Sequence, residues 1–393
     1  MSEIAEEQKS VAPVVDETAA PDASAVGETP DGEEVVEEKS TKICDMIAEY
    51  LAQESEESKQ PLIAFEYYPP RTKEAVQGLY ERFTRMEKQK PLYADVTWGA
   101  GGSTSDLTLE LCINAKEKHG LEPNMHLTCT NMEVEKIEAA LKGAKEAGIR
   151  NIVALRGDPP KGEEKWEATE GGFTCALDLV KYMRKEYDDY FCISVAGYPE
   201  GHPNVIKKID NPKMLTEAEK KRIVHQEDGD YVCHEEDYNN EIAYLKQKVD
   251  AGADMIITQM FFDIDVFLQF VADCRAAEIM VPIIPGIMLI MAYGGFKRMT
   301  GFCKSRVPED VMAKVEELKG DSTGLKAYGI EFATEMSNKL IEANVPDLHY
   351  YTLNREETVN KILLNIGRSL TEKKEEPVET TGEDKSEPAV ATE

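Results

Sequence analysis

The sequence is short of positive charge. Its 393 residues include 45 lysines and arginines against 75 aspartates and glutamates, a formal net charge of −30. Proteins that bind a phosphate backbone or an anionic lipid surface need clustered basic residues, so this balance argues against nucleic acid and membranes as partners. The sequence also lacks any apolar run close to the roughly 20 residues that a membrane-spanning helix needs.

Targeting segments and metal motifs are missing as well. The N-terminus is acidic and has no basic region followed by an apolar run, which argues against a secretory signal and a mitochondrial transit peptide. The eight cysteines are scattered without a Cys-x-x-Cys, which is typical of reduced thiols, so we expect a cytoplasmic protein without disulfides. His225, Cys233 and His234 fit no zinc spacing, and we predict no metal site.

Both ends of the chain differ from its middle. Residues 1–40 hold twelve acidic residues and two lysines, and residues 371–393 hold eight acidic residues and three lysines. Neither segment has an aromatic residue, and such segments bury too little apolar surface to offset chain entropy. We predict disordered acidic tails at 1–45 and 370–393 around one folded domain at 46–369. The tails are interaction segments or solvated extensions.

In the middle of the chain, short apolar runs alternate with amphipathic helical stretches. The predicted strands are Leu62–Tyr68, Tyr93–Trp98, Asn124–Cys129, Asn151–Leu155, Phe191–Tyr198, Met255–Phe261, Pro282–Met288 and Leu348–Leu353. The predicted helices are Lys73–Glu87, Asp106–Lys118, Val134–Ala147, Cys175–Glu186, Tyr238–Asp250, Asp265–Ala277 and Gly329–Ala343. Runs that are apolar on consecutive residues are typical of parallel strands covered by helices on the outside.

Eight such strand–helix units predict an α/β protein of the (β/α)8 TIM-barrel class. An open doubly wound sheet is the alternative, but it would have a glycine fingerprint after the first strand, where this sequence has Tyr67-Tyr68-Pro69-Pro70. The charged stretch Asn204–Asp237 interrupts the alternation after the fifth strand. It is a lid at the barrel rim or a surface insertion.

Polar residues at predicted strand ends are the candidates for chemistry. Glu66 lies among aromatic residues, which disfavour a charged carboxyl, so it is a candidate general acid, with a structural salt bridge as the alternative. Arg156-Gly157-Asp158 offers a guanidinium for phosphate or carboxylate, with an Arg–Asp turn contact as the alternative. Gln259 has a donor and an acceptor suited to a heterocycle. These residues predict a barrel enzyme for a planar ligand but not its reaction.

The ordered motifs between residues 62 and 366 resemble the catalytic barrel of the methylenetetrahydrofolate reductase family. They are Phe65–Thr72, Val96–Gly102, His126–Cys129, Arg156–Pro160, Val195–Pro203, Lys246–Ala253 with Ile257–Phe262, Pro285–Ile287 and Tyr350–Arg355. The resemblance implies non-covalent FAD in a (β/α)8 barrel without a dinucleotide fingerprint. It also implies that NADH or NADPH reduces the flavin and leaves before 5,10-methylenetetrahydrofolate is reduced to 5-methyltetrahydrofolate.

The resemblance also assigns residues. Glu66 matches the general acid that protonates N10 of the folate, and Asp158 matches a carboxylate that stabilises the resulting cation beside the flavin. The positions that match folate contacts are Gln259, Tyr293, Leu353 and Arg355. The positions that match flavin contacts are Thr97, His126, Arg156, Gly157, Asp158, Tyr198, His202, Glu241 and Lys248.

Some features depart from the family pattern. Cys175 stands where the family usually has a tyrosine beside the flavin, and Glu241 replaces an aspartate. Eukaryotic members usually append a regulatory domain that binds S-adenosylmethionine, whereas this chain ends soon after the barrel, so we expect no such inhibition. Another FAD barrel oxidoreductase and an inactive barrel that acts as a binding partner stay as alternatives. A homo-oligomer and the choice between NADH and NADPH are left open.

Overall fold

The computed structural model describes residues 41–53, 60–99, 104–129, 132–157 and 171–368. The strands are β1 (Leu62–Tyr67), β2 (Tyr93–Val96), β3 (Pro123–Thr128), β4 (Asn151–Leu155), β5 (Cys192–Gly197), β6 (Ile206–Lys208), β7 (Val224–Gln226), β8 (Gly229–Cys233), β9 (Met255–Thr258), β10 (Ile283–Ile284), β11 (Gly286–Met288) and β12 (Asp347–Tyr351). The helices are α1 (Ile43–Ala52), α2 (Lys73–Glu87), α3 (Ser105–His119), α4 (Val134–Glu146), α5 (Ala176–Tyr187), α6 (Glu217–Lys221), α7 (Glu235–Asp250), α8 (Ile264–Ala276), α9 (Tyr293–Cys303), α10 (Glu309–Glu317), α11 (Ser322–Glu342) and α12 (Glu356–Asn365). Within these ranges, none of the helices combines the length and the apolarity of a bilayer-spanning segment.

One parallel sheet closes on itself. Its strand order is β10-β9-β5-β4-β3-β2-β1-β12-β11, and all its pairings are parallel. The two end strands are separated only by Pro285, which has no backbone N–H to donate and so interrupts the ladder. Because β10 and β11 are the halves of one broken strand, the sheet is a ring of eight strands. The predicted (β/α)8 barrel is therefore confirmed.

Each predicted strand and helix has its counterpart, with boundary differences. The largest difference is at α11, which begins at Ser322 rather than Gly329. Five helices of the described residues that the sequence did not predict are α1, α6, α9, α10 and α12. The charged stretch Asn204–Asp237 folds into a small antiparallel sheet, in the order β6-β8-β7, together with α6. A capping box between Thr216 and Glu219 starts α6.

Alternation along β1 determines which side chains face the barrel interior. Phe65 and Tyr67 pack in the layer between the strands and the helices, whereas Ala64 belongs to the cluster inside the barrel. Since successive side chains on a strand point to opposite faces, Glu66 shares the inner face with Ala64. The predicted acid therefore points into the barrel near the carboxyl end of β1.

Helix α1 covers the amino end of the barrel. Its Ile43 and Ile47 are fully buried against interior residues such as Tyr93 and Met255. The side chain of Asn151, at the start of β4, accepts a hydrogen bond from the Ile43 N–H at 2.8 Å and donates to the Thr41 carbonyl at 3.0 Å. The helix crosses the predicted boundary between residues 45 and 46, while residues 1–40 and 370–393 of the predicted tails lie outside the described residues.

Close packing of α11 against the segment after β11 generates a stability prediction. A Cβ added at Gly329 would lie 2.1 Å from the backbone oxygen of Ile290, so Gly329→Ala forces the helix to move. We expect a loss of about 2 kcal/mol or more in the free energy of unfolding, measured by urea denaturation. The matched control is Gly78→Ala within α2, where the added Cβ meets nothing within 4 Å. The control should be neutral or stabilising by up to ~1 kcal/mol, and an equal loss in both variants would contradict the prediction.

Candidate active site

The carboxyl ends of the barrel strands open into a cavity of about 660 Å³, here called the mouth cavity. Every barrel strand, or the loop that follows it, contributes to its lining, including Glu66, Asp95, Thr97, His126, Arg156, Gly157, Tyr198, His202, Gln259, Met288 and Tyr351. A side cavity of about 340 Å³ adjoins it and shares Arg156, Tyr198 and His202. In (β/α)8 barrels this end of the strands is where active sites lie.

Strand register brings Glu66 to the centre of a charged cluster. Glu66 pairs in register with Asp95 on β2 and with Tyr351 on β12. Its Oε2 lies 3.6 Å from Nε2 of His126 and 3.6 Å from Nε2 of His349. These distances are longer than a hydrogen bond, so the carboxyl interacts with both rings chiefly through charge. A small rotation of Glu66 would close either contact.

Asp95 is the fixed anchor of this cluster. Its Oδ2 lies 2.9 Å from Nε2 of His126, and the aspartate is fully buried. Burial opposes protonation of the imidazole, but the hydrogen bond and charge of Asp95, with the charge of Glu66, outweigh it and raise the pKa of His126. The Asp95–His126 pair thus keeps a proton within reach of Glu66.

His349 repeats this arrangement from β12. Burial disfavours its protonated form, yet Glu66 and the charges of Asp95 and Asp347 prevail and raise the pKa of His349. Its Nδ1 lies 3.3 Å from the Tyr93 hydroxyl. Glu66, Asp95 and His349 each place a ligand-type atom within 4.8 Å of the others, a donor set that a cation could use. The raised pKa values of both histidines favour their positively charged forms at this place.

A second group of side chains makes the side cavity cationic. Lys248, on α7, is almost completely buried and donates from Nζ to the Ala196 carbonyl at 3.0 Å. Burial lowers the pKa of Lys248 to about 8, against the opposing charge of Glu241. Burial, with the positive charges of Arg156 and Lys248, lowers the pKa of His202 to about 4. The cavity can therefore receive an anion, whose charge would favour the protonated form of Lys248.

Two further residues define the walls of these cavities. Gln259 follows β9, and its Oε1 accepts a hydrogen bond from the Met260 N–H at 2.9 Å. Because the backbone holds the oxygen, the amide nitrogen is the donor that Gln259 offers to a ligand. In the side cavity, Tyr244 of α7 lies in the same lining as Cys175. An aromatic ring is thus present in the cavity that Cys175 lines.

The structure does not bring all the predicted residues together. Tyr293, the first residue of α9, is not in the lining of the mouth cavity, and its hydroxyl donates to Glu316 Oε1 at 2.7 Å. Leu353 and Arg355 also lie outside that lining, in the turn between β12 and α12. Asp158 falls outside the described residues. Its predicted role stays a prediction.

The turn after β12 supports Glu66 through the backbone instead. Leu353 and Asn354 both have positive φ, at 49° and 54°. Such backbone is uncommon away from glycine and needs support from its surroundings. The Thr352 hydroxyl donates a hydrogen bond to the Glu66 carbonyl at 2.6 Å. The side-chain amide of Asn354 accepts a hydrogen bond from the Tyr68 N–H and donates one to the Tyr68 carbonyl.

Sequence reasoning missed Asp95, His349 and Tyr351. All three sit at inward positions of strands. The signal that could have found His349 and Tyr351 is the polar side chain at every second residue of Asp347-Leu348-His349-Tyr350-Tyr351. The Tyr351 hydroxyl donates to the Thr258 carbonyl at 2.6 Å, which ties β12 to β9 across the cavity.

Comparison with known proteins identifies the relatives of this barrel. Residues 51–367 match the family model of methylenetetrahydrofolate reductase. A probable methylenetetrahydrofolate reductase (NADH) from Oryza sativa subsp. japonica is 48% identical over 315 residues, 80% of this chain and 50% of the rice protein. A probable methylenetetrahydrofolate reductase (NADPH) from Caenorhabditis elegans is 32% identical over 79% of this chain and 43% of its own.

The 5,10-methylenetetrahydrofolate reductase of Salmonella typhimurium is similar over nearly its whole length. It is 34% identical over 305 residues, which are 78% of this chain and 90% of the bacterial protein. The chain thus spans about half the length of the plant relative and most of the bacterial one.

Removal of the Asp95 charge tests the electrostatics of the cluster. In Asp95→Asn, His126 loses the hydrogen bond and charge that outweigh its burial, so its pKa should fall. Imidazole NMR titration of the histidine-labelled protein measures this value. The His119 resonance, at the end of α3, serves as the internal control and should titrate as in the parent. An unchanged or higher pKa of His126 would show that Asp95 is not the dominant partner.

Proposed function

The chain belongs to the methylenetetrahydrofolate reductase family, and from this premise we propose that it reduces 5,10-methylenetetrahydrofolate to 5-methyltetrahydrofolate, with FAD as cofactor and NADH or NADPH as electron donor. The observation that carries the proposal is the position of Glu66 in the mouth cavity, between two histidines of raised pKa. A proton donor at the mouth of a barrel suits a reaction in which the folate ring must be opened by protonation.

The residues around the two cavities fit FAD. The mouth cavity has apolar lining from Leu155, Ala196 and Ile257 for a planar ring, and the side cavity adds the cations Arg156 and Lys248 for a diphosphate. Thr97, His126, Gly157, Tyr198 and His202 also line these cavities, and Glu241 faces Lys248 in the side cavity. When bound, FAD would carry two electrons from the nicotinamide to the folate. The nicotinamide and the folate would bind in the mouth cavity one after the other.

The protein's own part is proton delivery and orientation. Glu66 gives a proton from its carboxyl to N10 of the folate, and the neighbouring histidines restore it. The Gln259 amide nitrogen is a donor for the pterin ring, fixing its orientation in the cavity. Asp158 is proposed to face the cation that ring opening creates, where a negative charge lowers its energy. Tyr293, Leu353 and Arg355 remain proposed contacts for the rest of the folate.

Replacement of the acid separates the two half-reactions. In Glu66→Gln, bleaching of the flavin by NADH or NADPH should persist, because that half needs no folate protonation. Reoxidation by methylenetetrahydrofolate should slow by roughly 100-fold or more. Anaerobic stopped-flow absorbance measures each half and compares both nicotinamides. Glu110→Gln, at an exposed α3 carboxyl bonded to Tyr80, is the control and should leave both halves unchanged. An equal loss of rate in both half-reactions would show that Glu66 is not the acid that protonates the folate.

Replacement of the buried lysine tests the cofactor site. Lys248→Met keeps most of the length of the side chain but removes its charge from the side cavity, so FAD should bind roughly tenfold more weakly. Fluorescence titration of the apoprotein with FAD measures the change. The control is Lys246→Met on the same helix, since Lys246 pairs with Asp250 on the helix surface. If both variants bind FAD as the parent does, the side cavity does not hold the diphosphate.

A further inference from the structure

A pair of cysteines lies at the opposite end of the barrel from the mouth cavity. Cys44 is the second residue of α1, and Cys192 is the first residue of β5. Their two sulfurs and a carboxylate oxygen of Asp254 all lie within 4.8 Å of one another. Cys192 is fully buried and Cys44 is partly exposed, and both are free thiols in the structure.

The two thiols have different chemical environments. Cys44 is in the first turn of a ten-residue helix, where the backbone N–H groups and the helix dipole favour a thiolate. The hydrogen bond from Cys192 lowers the pKa of Cys44, against the effects of burial and of the charges of Asp254 and Asp45. The same contact, together with burial, raises the pKa of Cys192 well above its usual range. Cys44 is therefore the nucleophile of the pair, and Cys192 keeps its proton.

The third member of the cluster argues against a metal site. Oδ2 of Asp254 accepts hydrogen bonds from Arg184 Nη2 at 2.5 Å and from the Ile193 N–H at 2.7 Å. Its charge is already balanced by the guanidinium, and a cation bound here would lie close to that positive charge. Structural zinc takes four ligands, usually cysteine and histidine, and here two thiols have only this occupied carboxylate beside them. The chemistry that the cluster favours is between the two sulfurs.

We propose that Cys44 and Cys192 are a peroxide-responsive pair that forms a reversible disulfide between α1 and β5. In the first step the Cys44 thiolate attacks a hydroperoxide, an S–O bond forms, the O–O bond breaks, and the released hydroxide or alkoxide takes a proton to become water or an alcohol. In the second step the Cys192 sulfur attacks the sulfenic acid, the S–S bond forms, the S–O bond breaks, and the leaving hydroxide takes the thiol proton. The two thiols lose two electrons to the peroxide, and a dithiol can return them.

The disulfide would attach α1, which covers the amino end of the barrel, to β5. In the reduced protein α1 is held by the buried Ile43 and Ile47 and by the Asn151 side chain. A covalent bond closes a loop of roughly 150 residues and restricts the unfolded chain, which stabilises the folded protein. We therefore expect the Tm of the oxidised protein to rise by roughly 5 °C.

The experiment treats the full chain, with its cofactor bound, with hydrogen peroxide. Free thiols are then alkylated, and the digest is searched by mass spectrometry for a crosslink between the Cys44 and Cys192 peptides. The link should form at low peroxide excess, raise the Tm and disappear with dithiothreitol. Cys44→Ser and Cys192→Ser should each abolish it, whereas Cys274→Ser, which removes a buried thiol of α8, should retain it.

The intermediate gives a readout that does not depend on the stability of the crosslinked form. In Cys192→Ser the sulfenic acid at Cys44 has no resolving thiol, so dimedone should label Cys44 in this variant more than in the parent. Absence of the crosslink in the oxidised parent, or oxidation of Cys44 directly to a sulfinic acid, would overturn the proposal. So would stoichiometric zinc that protects both thiols from alkylation, because the pair would then be a metal site.

Discussion

The barrel register forces two carboxyl groups and two imidazoles to share one buried level, and the arrangement of the site depends on how their charges balance. Glu66 and Asp95 are cross-strand neighbours, while His126 and His349 arrive from β3 and β12. A buried charge without a partner costs several kcal/mol, and removal of one member of a buried pair typically costs roughly 3–5 kcal/mol. The pKa values of both histidines are raised because the neighbouring carboxylates favour the protonated imidazoles. The same balance gives Glu66 a nearby source of protons.

Net charge is a poor guide to what such a protein binds. The chain carries −30 overall, yet the side cavity gathers Arg156 and Lys248 around a neutral His202. Burial lowers the pKa of Lys248 to about 8. The same burial keeps water away from the ammonium group, so an anion that enters the cavity interacts with it against few competing water molecules. The overall charge argues against extended polyanions, which contact a broad surface. It has little influence on a small anion held inside a cavity.

The sequence predicted the barrel and the position of Glu66 at the end of a strand, because both depend on local patterns. Consecutive apolar residues indicated parallel strands, and Glu66 stood out as a carboxyl at the end of such a run. Asp95 and His349 were missed because each occupies a strand interior, and the partners that give it a role lie 31 and 283 residues away along the chain. The expectation for Tyr293 rested on a motif alone, whereas in the structure an unpredicted helix, α10, supplies the Glu316 that holds its hydroxyl. Contacts between residues so far apart in the sequence depend on tertiary packing, which a local sequence pattern does not reveal.

Residues at the amino end of the barrel influence the electrostatics of the mouth cavity. Below His349 on the same inward face, Asp347 is fully buried, and burial raises its pKa to about 7. Neither of its carboxyl oxygens has a hydrogen-bond partner among the described residues. With a pKa of about 7 the carboxyl is partly protonated at neutral pH, and it is so only while water is kept away from it. Helix α1 is the element that covers this end of the barrel. If α1 opened, water would solvate Asp347 and favour its charged form, which would alter the charge facing His349 and, through it, Glu66. The packing of α1 therefore keeps Asp347 buried, and the charge of Asp347 acts on His349 at the next inward position of β12.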